Sequence, residues 1–317
     1  MLSYLRFNPN QTIGDCLLGK LEVETSKWEL RREFGREGKG KGEFNGIRGI
    51  TASRPGEIAM ADWRNMRVVI CSTEGYFKGS IPIQGYPFNV TAIQNHDSRL
   101  VVVDTTKYVK VYNKNYKLAF QFPTVPQSAV DGMDVDLLGL TVKEGGIIVV
   151  GDIKRNVLTE HSPTDGALLR TIPVQTPPFL LAADTSTNRV VVSDIAPFVD
   201  IVDDTGATLS TIRPTVDGKP VTQCRDVFWD GSGIYVAVNN DREGTGHIHR
   251  YDDQGRFLGC VAQGLGGPRG IAITADGQQL AAAEMYSVKI YHKERIWDDS
   301  GRLGLILENG IACPFQA

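Results

Sequence analysis

Four aspartates close short apolar runs along this 317-residue chain: Asp62, Asp104, Asp152 and Asp194. Carboxylates at one register could gather into a catalytic or cation-binding ring. An acid at a strand end more often accepts backbone N–H bonds in the turn that follows, and that structural role is the expectation here. His247 and His249 are two residues apart, so an alternating strand would show both rings on one face, a spacing some metal sites use. No third ligand follows them in sequence, and the pair reads as a solvated rim face with no metal assigned. Cys224 has no base to activate it and reads as a small buried apolar group. The sequence holds neither a G-x-x-x-x-G-K-[ST] phosphate loop nor a G-x-S-x-G nucleophile elbow. No catalytic residue and no cofactor is expected, and the basic run from Arg36 to Lys41 reads as a solvated loop.

The elements that hold these side chains repeat, with a period of roughly 40 to 50 residues. The landmark is an apolar, β-branched run ending in an acid. It occurs at Ile58 to Asp62, Arg99 to Asp104, Ile147 to Asp152, Arg189 to Asp194 and Leu280 to Glu284; Ile234 to Val238 ends in Asn239 and Asn240 instead. A short run apolar on both faces is a strand buried on both faces. A third strand follows, as in Val109 to Tyr112 and Val288 to Tyr291, and its alternation predicts a position nearer the rim. Gly75, Gly166, Gly206 and Gly255 mark the next turn, and Asn115 stands there in the second unit as a residue that tolerates positive φ. A fourth strand closes each unit.

Six lead-ins to first strands can be counted, near Arg48, Asn89, Leu138, Leu180, Arg225 and Arg269. The sixth unit runs out after its third strand, at His292 and Lys293. The stretch from Trp28 to Gly35 can supply the missing strand, which would seal a ring and remove two exposed sheet edges. The expectation is an all-β, six-bladed β-propeller over residues 28–294, closed by an N-terminal strand completing the last blade. Residues 1–27 form an N-terminal extension, with Leu17 to Leu21 packed on the rim. Residues 295–317 form a weakly ordered tail.

In a propeller, the lead-ins and the loops joining second to third strands share one face. The first set contributes Arg48, Asn89, Arg225 and Arg269. The second contributes Trp63, Arg64, Arg67, Lys107, Tyr108, Lys154, Arg155, Phe198, Arg242 and Tyr286. Basic groups ringed by aromatics suit single-stranded RNA, with phosphates paired and bases stacked. They equally suit an acidic, aromatic-anchored protein partner. A structural alternative is that each lead-in arginine simply bonds neighbouring carbonyls.

The stretch from Phe34 through Gly38 to Phe44, with Gly49 and Ile50 and then Ala61 to Val68 (ADWRNMRV), resembles the opening blade of NHL-repeat proteins. Pro268 to Ile273 with Ser287 to Tyr291 resembles their closing blade. The likeness is greatest to the C-terminal NHL domain of tripartite-motif (TRIM) ubiquitin ligases. It implies a recognition propeller that binds a protein target, single-stranded RNA, or both. It also implies upstream RING, B-box and coiled-coil segments, whose Cys and His spacing and heptads this sequence lacks. Ligase activity therefore cannot be assigned to these residues, and a non-enzymatic recognition module is expected. A metal-dependent hydrolase or lyase propeller would need carboxylates or imidazoles converging at the lead-ins, which offer Arg, Asn and Leu instead.

Lys and Arg number 34 against 37 Asp and Glu, so any nucleic-acid role must rest on local clustering rather than on a basic coat. The cysteines Cys16, Cys71, Cys224, Cys260 and Cys313 are scattered, without a CxxC pair, which argues against a disulfide scaffold. With no signal-peptide pattern and no bilayer-length apolar run, a cytoplasmic protein with no membrane partner and no small-molecule cofactor is expected.

Overall fold

The six apolar runs, five of which lead into an acid, form the second strands of six antiparallel four-stranded sheets. The computed structural model describes residues 26–93, 98–184, 187–240 and 244–295. Blade one comprises Ile47–Arg54, Glu57–Asp62, Arg67–Ser72 and Phe77–Pro82. Blade two comprises Pro87–Ile93, Arg99–Asp104, Tyr108–Tyr112 and Leu118–Pro123. Blade three comprises Leu137–Val142, Ile148–Asp152, Val157–His161 and Leu168–Pro173. Blade four comprises Leu180–Ala183, Val190–Ser193, Val199–Val202 and Thr208–Ile212. Blade five comprises Gln223–Asp230, Gly233–Asn240, Thr245–Tyr251 and Phe257–Leu265. Blade six comprises Gly270–Ile273, Gln279–Ala283 and Val288–Arg295, and Ser26–Phe34 pairs on as its outer strand. The N-terminal stretch thus fills the place expected of it. The extension and tail read from residues 1–25 and 296–317, Leu17 to Leu21 included, lie outside the described residues.

Second strands are buried along almost their whole length, because each is sandwiched between neighbouring blades. Apolar clusters fill those interfaces. Ile58, Met60 and Val69 of blade one pack with Ala281, Ala283, Val288 and Ile290 of blade six, so the ring seals through a hydrophobic seam. Similar clusters join blades one and two, two and three, three and four, and four and five.

The third strands lie one place nearer the rim than the second strands in each sheet, and in blade two this strand is more buried than its alternation suggests: Lys110 is 5% exposed, its charge held by Asp104 Oδ2 at 2.6 Å. The alternating, solvent-facing strands are the fourth ones, where Leu168, Leu169 and Leu209 reach water. The turn glycines do adopt positive φ, but in blade two Tyr116, not Asn115, takes that conformation (φ 59°). There the Asn113 side chain caps the turn by accepting from the Asn115 and Lys117 N–H groups. No helix among the described residues is long and apolar enough to cross a membrane.

Candidate functional site

The strand-ending acids build the loops of one face. Asp104, Asp152 and Asp194 accept N–H bonds from Thr106, Lys154 and Ala196 in the turns that follow them. Asp62 differs in that its backbone donor is the preceding lead-in, Asn45 N at 2.7 Å. Its other oxygen takes Asn65 Nδ2 at 2.8 Å and Arg67 Nε at 2.9 Å. The short turn Trp63–Asn65 is thereby pinned to the lead-in, with Trp63 N–H donating to Gly46 O and Arg64 N–H to Asn45 O.

The lead-ins carry a second device. Pairing of first with second strands slips between Ile47 and Ile50, Pro87 and Asn89, Leu137 and Leu140, and Cys224 and Asp226. A β-bulge leaves a residue unpaired and re-aims its side chain. Arg48, Phe88, Leu138 and Arg225 occupy those slips. With Asn89, Leu180 and Arg269 they line one recess of about 30 Å³, so the six lead-in positions converge on a common point. Gly49 permits the approach, since a Cβ there would meet Asn89 Oδ1 at 2.4 Å. The first strands go on to wall a channel of about 640 Å³.

Among the described residues Arg48, Arg64, Arg225 and Arg269 form no ion pair, and Arg48 Nε is buried without an acceptor. Burial lowers the pKa of Arg48 below the usual arginine value, and repulsion from Arg269, Arg225 and Arg64 adds to it. Arg269 is lowered likewise, by burial and then by Arg225. Guanidinium groups remain cationic under such shifts, so the mouth holds several mutually repelling positive charges. Aromatic faces support two of them. Arg48 lies 4.8 Å from the Trp63 ring and 5.7 Å from Phe88, and Arg64 lies 5.7 Å from Trp63. Tyr86 adds a ring 5.5 Å from Trp63 and is 44% exposed.

The remaining residues of the expected face divide. Arg67 is tied to Asp62 and to the carbonyls of Lys39, Gly40 and Glu43. Arg155 is spent on Asp152 and Thr124, and Lys107 donates to Val130 O and Met133 O. Lys154 makes a surface pair with Asp134 at 3.5 Å, and Gln127 donates to the Tyr108 hydroxyl. Phe198 lies under Arg213, and Tyr286 lies near Arg269. Arg242 lies outside the described residues. Tyr86 and Phe88 were not singled out from sequence, although their placement at a lead-in, Tyr86-Pro87-Phe88-Asn89, was the available signal.

Asp226, next in sequence to Arg225, is one of the acids that line the channel. Asp226 Oδ2 accepts Ile271 N–H at 2.7 Å, joining blade five to blade six. The protein walls around it push its carboxyl up to about 7.

No protein-family model matches this chain, and no curated protein matches it. Among solved structures, a streptogramin B lyase is similar, with TM-score 0.57 and 13% identity over 86% of this chain and all of that one. At that identity the likeness shows the fold alone. The chain is a six-bladed β-propeller.

Proposed function

We propose that this chain is a non-catalytic recognition module, an NHL-type propeller of the kind TRIM-like ubiquitin ligases carry, and that it binds an acidic segment of a protein target across the channel mouth. The observation that carries this reading is the convergence of Arg48, Arg225 and Arg269, with Arg64, without a described carboxylate among them. Arg48 is half-buried with its Nε lacking an acceptor, and an arriving carboxylate supplies one in bidentate geometry. The recess holds one or two water-sized groups, which suits a carboxylate head. Trp63, Tyr86 and Phe88 offer adjacent apolar surface for an aromatic or aliphatic anchor.

Single-stranded RNA is the second reading, favoured by the exposed Tyr86 ring beside Trp63, a stacking platform next to the cations. Fluorescence anisotropy separates the two. Labelled Glu- and Asp-rich peptides and a panel of random RNA oligomers are titrated into wild type and into the Arg48→Ala, Arg225→Ala, Arg269→Ala triple variant. Peptide binding that the triple variant loses, with no RNA binding at low salt, supports the protein reading. RNA binding with a steep salt dependence, lost in the same variant, replaces it with the second. Binding of neither probe removes both.

A further inference from the structure

Away from the mouth, the outer strands of blade five bring three metal-ligating side chains together. His247 and His249 share one face of the third strand, with ring centroids 6.0 Å apart. On the fourth strand Cys260 stands directly opposite His249 in the pairing register. That register slips between Ile248 and His249, and the slip, a bulge, aims Cys260 at the histidine pair. Cys260 Sγ lies 4.0 Å from His247 Nδ1, and the three ligand atoms lie within 4.8 Å of one another. The third ligand missing from the local sequence is supplied by the neighbouring strand.

We propose that His247, His249 and Cys260 form a site for one thiophilic divalent cation of the zinc class. Two imidazoles and a thiolate are a borderline-soft donor set that suits Zn²⁺ and not Ca²⁺ or Mg²⁺. Ligand atoms on a tetrahedral zinc stand about 3.3–3.6 Å apart, given bonds of about 2.0–2.3 Å. The cluster therefore closes by small rotations of Cys260, which is exposed, and His247, which is half-buried. His249 is the fixed member: it is 4% exposed, with Phe257 edge-on at 5.2 Å and the Tyr251 hydroxyl 3.2 Å from Nδ1. A hydroxyl on a ring nitrogen sets tautomer and orientation, as partners of metal-bound histidines do. On binding, Cys260 gives up its contact with Ala262 O, releases its thiol proton to solvent and coordinates as thiolate, while both imidazoles coordinate neutral. Solvent on the Cys260 side supplies the fourth ligand as water. The cation would clamp the third strand of the blade to its outermost one, and nothing in this site depends on the arginine mouth.

The test uses the full chain, stripped with chelator and kept reduced. Calorimetric titration with Zn²⁺ alone is expected to show one equivalent bound and a raised melting temperature. His247→Ala and Cys260→Ala, both substitutions outside the buried core, are each expected to weaken binding at least about tenfold while circular dichroism stays unchanged. With Co²⁺ in place of Zn²⁺, wild type should show a thiolate-to-cobalt charge-transfer band that Cys260→Ala lacks. A Cys16→Ala, Cys313→Ala variant should keep both signals. No stoichiometric binding by folded wild type, binding unchanged in both single variants, or a cobalt spectrum without the sulfur band would each overturn the proposal.

Discussion

The Arg48 guanidinium lies 4.8 Å from the Trp63 ring, and the two residues reach each other from different loops of one face. Arg48 comes from a bulged lead-in and Trp63 from the turn that Asp62 pins to that lead-in. The contact gives a half-buried cation an aromatic face in place of a carboxylate, leaving its charge available to a ligand.

Positions kept for binding are commonly held at a cost in stability. Arg48→Met, which keeps the apolar stem and removes the charge, is expected to leave the fold unchanged or stabilise it by about 1 kcal/mol while abolishing binding of acidic probes. Calorimetry at low salt measures this. Added salt should stabilise wild type more than the variant, because it screens repulsion among Arg48, Arg64, Arg225 and Arg269. A clear destabilisation by Arg48→Met would mean that the arginine is a structural strut.

Asp226 predicts a pH dependence of stability. Its carboxyl is raised to about 7 in the folded chain, against about 3.9 when unfolded. Between those values the folded state binds the extra proton, so the contribution of Asp226 to stability is fully present below about pH 4, falls as pH rises toward 7, and is level above it. Asp226→Asn still accepts the Ile271 N–H bond but carries no charge. The variant should melt several degrees above wild type at pH 8 and close to it at pH 4. Equal melting temperatures at both pH values would contradict this.

Arginines at the other end of the blades latch four of the sheets to the next. Arg54 donates to Lys114 O, Arg99 to Pro163 O at 2.5 Å, Arg170 to Asp204 O at 3.0 Å and Arg189 to Asp253 O at 3.0 Å. Arg189 also bonds Thr187 and the Asp253 carboxylate and lies 5.1 Å from the Trp229 ring. Arg189→Ala should cost about 1–3 kcal/mol in urea unfolding, and Arg189→Lys should recover only part of it, lacking the planar fork. Full rescue by lysine would reduce the latch to a point charge.

The turn glycines fall into two kinds. A Cβ on Gly166 (φ 75°) would meet the Phe122 ring of the preceding blade at 2.1 Å, whereas one on Gly218 (φ 74°) would meet nothing within 4 Å. Gly218→Ala should cost about 1 kcal/mol from conformation alone. Gly166→Ala should cost at least about twice that, because the blade contact must open as well. Equal losses in chemical denaturation would mean the seam yields freely.

The fold was legible because its constraints are local. Burial on both faces writes Arg99 to Asp104 and Arg189 to Asp194 as unbroken apolar runs, and the orphaned Trp28 to Gly35 stretch matches the one missing strand. The lead-in register was legible too, as repeated Arg48, Arg225 and Arg269 at the start of first strands. What sequence could not show is pairing across strands. Lys110 reads as a rim residue until Asp104 is placed beside it, and Arg67, Arg155 and Lys107 read as free cations until their acceptors appear. The bulges that aim Arg48, Arg225 and Cys260 are slips of hydrogen-bond register, which no residue type announces.

A charge swap at the mouth tests the recognition reading most directly. Wild type and an Arg48→Glu, Arg225→Glu, Arg269→Glu variant of confirmed fold are probed with matched poly-Glu and poly-Lys peptides at low and high salt. The account predicts that wild type binds the acidic peptide, that the variant loses it and gains the basic one, and that salt weakens both. An unchanged preference for the acidic peptide in the folded variant would contradict it.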